Sequence, residues 1–278
     1  MIVQVIMTKN ELFLIKEMMP LWKKYADGFV FMDDESDDGT YEFLIENKEK
    51  YNILSVLKTS NSSERLVVES NVRQRLFDEA FKYSGNIICM DTDEYLDGSL
   101  TKEQLEDILN NNPNTLIYSQ WIQYTGKNQI RVDGPWRTNF KDRIGSYRVE
   151  CKYKDAQMHA EHLPNPGKVA TIDPQLIFIA HLQWLDKETV AIKQYFYKIL
   201  DYVNKLKFNA NVVSSIEYDY SVNNFNWEFK NFPIDLKIKE DIYKLDNPKN
   251  GFKFKYIKDN IKKYNIPNLN DWGMNIHE

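Results

Sequence analysis

The stretch Asn86-Ile87-Ile88-Cys89-Met90-Asp91-Thr92-Asp93-Glu94-Tyr95 decides how this chain is read. An apolar run, Ile87 to Met90, leads directly into Asp91-Thr92-Asp93-Glu94. A short apolar run that ends in acids reads as a buried strand opening on a surface crevice. In open α/β sheets, ligands bind outside the carboxyl ends of the strands. Alternating carboxylates, Asp91 and Asp93, make a hard oxygen site suited to Mg²⁺ or Mn²⁺ carrying substrate phosphates. The plainer alternative is a solvated acidic turn, where Asp is common anyway.

Working outward, the preceding chain supplies three βα units. Residues 2–7 read as a strand and residues 12–25 as a helix, with Asn10 as its cap. Residues 28–32 form a second short strand that ends in Asp33-Asp34-Glu35-Ser36-Asp37-Asp38-Gly39-Thr40. A helix over 41–51 and a strand over 53–57 follow, then a polar loop over 61–69. Residues 72–83 read as a helix carrying Arg73 and Arg75. Repeated strand–helix units argue for a parallel α/β sheet. An acid at such a strand end can accept hydrogen bonds from a base or ribose, and an arginine fork suits phosphate.

Beyond the acidic stretch, Thr101-Lys102-Glu103-Gln104 opens a helix over 101–110. Residues 116–124 read as a strand, 131–149 as β structure with turns, and 153–166 as a loop containing His159 and His162. Residues 175–180 form an apolar run ending in His181, and 186–206 read as a long helix. From residue 208 the chain is rich in Asn, Lys, Tyr and Phe with little periodicity, apart from short helices at 241–245 and 253–264. The expected division is a domain over 1–206, with halves 1–100 and 101–206, and a C-terminal extension over 207–278 packed on it.

Composition sets the bounds. A chain of 278 residues can build a sizeable core in one large domain or a domain plus an extension. A net charge of −5 without a long basic block argues against a nucleic-acid partner. No apolar run reaches the length of a transmembrane segment. Met1 to Met7 looks like a first strand rather than a signal peptide. Cys89 lies inside an apolar run, where a buried thiol is expected rather than a disulfide, which fits a reducing, cytoplasmic setting.

The order of these motifs resembles the nucleotide-binding half of glycosyltransferase family 2, which has the GT-A fold. The resemblance is carried by Thr8-Lys9-Asn10-Glu11, Met32-Asp33-Asp34-Glu35-Ser36-Asp37-Asp38-Gly39-Thr40, Arg73-Gln74-Arg75-Leu76-Phe77-Asp78-Glu79-Ala80 and Met90-Asp91-Thr92-Asp93-Glu94. It covers residues 1–100 well, 101–206 more loosely, and not the C-terminal extension. It implies an α/β protein with a Rossmann-like mixed sheet flanked by helices. The implied activity is metal-dependent transfer of a sugar from a nucleotide diphosphate sugar, a UDP-sugar above all, to a hydroxyl of a glycan or other acceptor, with inversion.

The resemblance also assigns roles. Thr8, Asn10 and Glu11 would line the nucleoside pocket, Asp34 would face the base, and Arg73 would help hold the nucleotide. Asp91 and Asp93 would form the DxD motif. Asp93 would bind Mn²⁺ or Mg²⁺ directly, while Asp91 would reach the ribose or a metal-bound water. His181 would complete the metal or diphosphate site. Inverting transfer needs a base for the acceptor hydroxyl. Glu161 is the preferred candidate, with His159 beside it and Asp142 next in line; relatives often place His-Glu side by side, whereas Ala160 separates them here. Two rivals stand against this reading. One is a haloacid dehalogenase-like phosphohydrolase using Asp91 as nucleophile. The other is a non-catalytic carbohydrate-binding or scaffold protein of the same fold.

Overall fold

The computed structural model describes residues 1–59, 69–134, 137, 139–154, 161–208, 228–232, 242 and 251–265. The chain groups into two compact units, one formed by 1–122 with 139–181 and the other by 123–138 with 182–278. This grouping differs from the expected break at residue 206. The expected loop at 61–69 lies outside the described residues apart from Glu69, as does most of the helix expected at 241–245.

The first unit is an α/β sheet flanked by helices. Its strands are β1 (Val3–Thr8), β2 (Gly28–Asp33), β3 (Ile53–Lys58), β4 (Asn86–Asp91), β5 (Glu94–Asp97), β6 (Thr115–Gly126, as far as Ile122), β8 (Asn139–Ser146), β9 (Lys168–Thr171) and β10 (Phe178–His181). Along the main sheet the order is β6-β8-β4-β1-β2-β3. The β4-β1-β2-β3 pairings are parallel. β8 pairs antiparallel with both β4 and β6, so the sheet is mixed.

Helix α1 (Leu12–Trp22), the short α2 (Thr40–Glu46) and α3 (Lys48–Tyr51), α4 (Glu69–Phe81) and α5 (Lys102–Asn111) make the crossovers. The central strands are buried on both faces, as crossover helices require. Val3, Val5, Met7, Val30 and Met32 pack with Val72, Leu76, Phe77 and Ala80 of α4. Phe29 and Phe31, on the opposite pleat, meet Trp22 of α1 with ring centroids 6.4 and 6.3 Å apart.

Helix α1 is not capped by Asn10. Asn10 takes a left-handed φ of 53° and the helix starts after Glu11. The free N–H groups there are taken from across the fold: Leu12 N donates to Asp38 Oδ2, Glu11 N to Thr40 Oγ1 and Asn10 N to Ser36 Oγ. The helix over 41–51 splits into α2 and α3 at Asn47. Thr101 and Gln104 form the reciprocal capping box their spacing predicts at α5.

The second unit holds the end of β6 from Gln123, β7 (Gln129–Arg131), a 3₁₀ turn Gln183–Leu185, α6 (Lys187–Phe208), β11 (Phe229–Asn231) and α7 (Phe252–Tyr264). Its β7 pairs antiparallel with both β6 and β11. Arg131 is fully buried, held in two 2.7 Å bonds by Asp133, with Trp184 stacked 4.4 Å over its guanidinium. Trp184 donates in turn to Gln123. Phe196 of α6 packs on Phe252 and Tyr256 of α7. No described helix of either unit is long and apolar enough to cross a membrane.

Candidate active site

Strand register fixes the site. Thr8 is paired with Asp33, and Met7 with Asp91, so the carboxyl ends of β2, β1 and β4 lie side by side. Two bonds knit these ends together: Asp34 N donates to Thr8 O at 2.9 Å, and Thr92 Oγ1 to Met7 O at 3.4 Å.

The loop after β2 spends much of its acidity on its own shape. Asp33 Oδ2 accepts from Ser36 N, Asp37 exchanges two bonds with Asn10, and Asp38 caps both Leu12 and Thr40. Asp34 is 4% exposed and is held differently. Its Oδ1 accepts from Thr59 at 2.8 Å, and its Oδ2 faces the Lys9 ammonium at 3.3 Å. Lys9 also donates to Asp34 O at 2.7 Å. Lys9 is a residue to which the sequence reading gave no role. Thr8 is fully buried, with its hydroxyl 3.4 Å from Glu11.

At the end of β4 the chain turns through Thr92 and Asp93 into β5. β5 pairs antiparallel with β10, in a register that puts His181 opposite Glu94. That pairing carries His181 across 88 residues of sequence to Asp93, with Nε2 at 3.4 Å from Asp93 Oδ2. Both side chains are buried to about nine-tenths, and His181 stacks on Trp121 at 4.6 Å.

Asp91 is the more open of the two acids, with its side chain 41% exposed. Its Oδ2 lies 3.4 Å from Arg143 Nη2 and 3.4 Å from His162 Nε2. Burial works against its charge, yet His162, Arg143 and Arg73 outweigh it and hold the carboxyl well below the usual carboxylate range. His162 itself is pushed below its ordinary value by burial, then by Arg143 and Arg73.

Those arginines are anchored. Arg73 is 6% exposed, bonds Glu69 at 2.7 Å and points Nη1 at the Cys89 sulfur, 3.7 Å away. Burial pushes the Cys89 thiol up to about 12, so it stays protonated. Arg143 is clamped on Glu94 through Nε at 2.8 Å and Nη2 at 2.6 Å.

Of the candidate bases, Asp142 is committed to the backbone: its Oδ2 accepts from His162 N at 2.9 Å, and its Oδ1 lies 3.9 Å from His162 Nδ1. Glu161 is exposed, one residue away. His159 lies outside the described residues. His162 lies in the stretch the sequence offers for the base, but the sequence gives it no role of its own. It sat in plain view in His159-Ala160-Glu161-His162, but no spacing rule singles it out. Its place depends on Asp142 gripping its backbone from β8.

Among the described residues no group of three or more His, Cys, Asp or Glu side chains is arranged to hold a metal ion. Asp93 and His181 are a pair. Asp93 fits the way Mg²⁺ and Mn²⁺ are commonly held, by carboxylates with the rest from phosphate and water, and the His181 imidazole beside it is a metal-ligand side chain.

No protein-family model matches the chain. No curated protein matches it either. Among solved structures, it is similar to S. aureus TarS 1–349 in complex with UDP, at 15% identity and a TM-score of 0.40, over 81% of this chain and 70% of that one. It is also similar to the mannosyltransferase PcManGT from Pyrobaculum calidifontis in complex with GDP-Man and Mn²⁺, at 14% identity and a TM-score of 0.30, over 45% of this chain and 35% of that one. A third is HddC from Yersinia pseudotuberculosis, at 12% identity and a TM-score of 0.31, over 88% of this chain and 97% of that one.

Proposed function

We propose that this chain is a glycosyltransferase that takes a sugar from a nucleotide diphosphate sugar, with UDP the expected nucleotide, and passes it to an acceptor hydroxyl with inversion. One observation carries the reading. The Asp91-Thr92-Asp93 turn leaves a parallel strand beside the ends that bear Thr8 and Asp34, and a distant strand delivers His181 to within 3.4 Å of Asp93. A surface turn of solvated acids has no need of a buried histidine partner.

Each part has a task. Asp34 lines the floor for the nucleoside, with the buried Thr8 bonded behind it and Asn10 and Glu11 at its edge. Asp91 Oδ2 is held by Arg143 and His162, which leaves Oδ1 to accept from a ribose hydroxyl. Arg73, paired with Glu69, and Arg143, paired with Glu94, would set fixed dipoles beneath the diphosphate, where a low local dielectric makes them count for more. Asp93 and His181 would hold Mn²⁺ or Mg²⁺, which supplies neutralisation of the charge that gathers on the departing diphosphate. Glu161, exposed next to the loop that Asp142 pins, is the base that takes the acceptor's proton.

The test is a panel of nucleotide sugars with Mn²⁺, scored for binding and for hydrolysis without acceptor. Binding and turnover of one donor, abolished by EDTA and restored by Mn²⁺ or Mg²⁺, is the expected result. Full turnover in chelated, metal-free protein would sink the role given to Asp93. Asp93→Asn should lose far more turnover than Asp97→Asn, because Asp97 is paired with Lys24. Glu161→Gln should keep donor binding and slow transfer by about 10²–10⁴-fold.

A further inference from the structure

Glu94 follows the DxD turn directly, and the proposed reaction gives it no task. It is completely buried and takes four donors. Oε1 accepts from Trp121 Nε1 at 2.7 Å and from Arg143 Nη2 at 2.6 Å. Oε2 accepts from Arg143 Nε at 2.8 Å and from Asp91 N at 3.2 Å. Burying a carboxylate and a guanidinium is costly, and apolar residues of the same volume often serve stability as well or better. Stability alone is thus a poor reason for this pair.

Two of the donor residues, Arg143 and Trp121, lead to opposite sides of the site. Arg143 goes on to Asp91 Oδ2 at 3.4 Å. Trp121 stacks nearly flat on His181, with an interplanar angle of 20° and centroids 4.6 Å apart, and so sets the plane in which His181 presents Nε2 to Asp93. We infer that Glu94 is a positioning residue, which fixes Asp91 through Arg143 and His181 through Trp121 so that the two sides of the donor site keep one spacing. The inference rests on the glycosyltransferase reading and deepens it. A residue that orients a metal-ligating imidazole from behind commonly governs affinity about 10–100-fold.

Trp121→Phe tests this with little disturbance of shape. It keeps a ring on His181 and removes the indole N–H that bonds Glu94. Mn²⁺ is titrated into the UDP-saturated protein, followed by calorimetry and by tryptophan emission. The wild type should bind Mn²⁺ and lose the part of its emission that comes from Trp121, stacked on the ligand His181. Trp121→Phe should need about 10–100-fold more Mn²⁺ for half-saturation and lack that quench, with a melting temperature close to the wild type's. Glu94→Gln, which keeps the shape of the side chain, should weaken Mn²⁺ binding in the same direction. Wild-type Mn²⁺ affinity in both variants, or a loss that only follows their melting temperatures, would overturn the inference. A wild-type protein that binds neither UDP nor Mn²⁺ would instead bring down the glycosyltransferase reading, and this inference with it.

Discussion

Asp34 sits between two partners of opposite character, the Thr59 hydroxyl and the Lys9 ammonium. A base that hydrogen-bonds its carboxylate must share it with both. Asp34→Ala should weaken UDP binding by roughly 1–3 kcal/mol, the cost of leaving a buried donor unpaired. Lys9→Met should act more gently and in the same direction, because it frees Asp34 to move without removing its oxygens. Calorimetry showing unchanged UDP affinity in Asp34→Ala would remove that residue from the pocket. At this scale the sequence was informative where chemistry is concentrated in a short run, as in Asp91-Thr92-Asp93, and where a polar residue ends an apolar strand, as at His181. It placed His162, Arg143 and Glu94 in candidate stretches without their partners, and their meaning comes from each other. Arg143 lies on β8, 49 residues from the Glu94 it clamps, and nothing in either neighbourhood announces the partner.

The pairing of β5 with β10 brings His181 to the site, and Gly98 stands at its end. Gly98 has φ +144°, and a Cβ there would come within 2.2 Å of Leu176 O. Gly98→Ala should therefore destabilise the protein by more than about 1 kcal/mol, and should lower metal-dependent UDP binding beyond what the melting temperature explains. A variant with wild-type melting and wild-type binding would show that this strand pair tolerates displacement. The parallel strands β1, β2 and β4 were legible, because strands buried on both faces are written as apolar runs ended by polar residues, and β3 was legible from its own short apolar run. β5 was not. Its four residues, Glu94 to Asp97, carry acids at both ends and read as part of a turn. β9 was missed as well, since Lys168–Thr171 is exposed throughout and lacks the burial that shapes a strand's sequence. The cap of α1 was misplaced on Asn10 because its donors are met by Asp38 and Thr40, from a loop more than 25 residues on.

Across the first unit, acid should act through Asp27. It joins the start of β1, through Ile2 N at 2.8 Å, to α5, through Lys102. Burial works against its charge, but Lys102 and the Ile2 N–H outweigh it and hold the carboxyl below its ordinary value near 3.8. A carboxyl lowered by folding stabilises above its unfolded pKa, and that contribution is lost as pH falls through the folded one. Asp91 is shifted the same way. The urea midpoint should thus fall between pH 5 and pH 3, and fall less steeply in Asp27→Asn. Equal slopes in the two proteins would show that Asp27 contributes nothing to acid sensitivity. The division of the chain has a consequence for its synthesis. Residues 123–138 belong to the second unit, yet they are made before β8, β9 and β10 of the first. When β5 leaves the ribosome, its partner β10 is still 84 residues from being complete, from Asp97 to His181. At about 10 residues per second, the acidic turn waits on the order of eight seconds for the strand that carries its histidine. During that interval a nascent chain can hold the nucleoside-facing strand ends but not the completed pair, so donor-binding competence should arrive late in translation, once residue 181 has emerged.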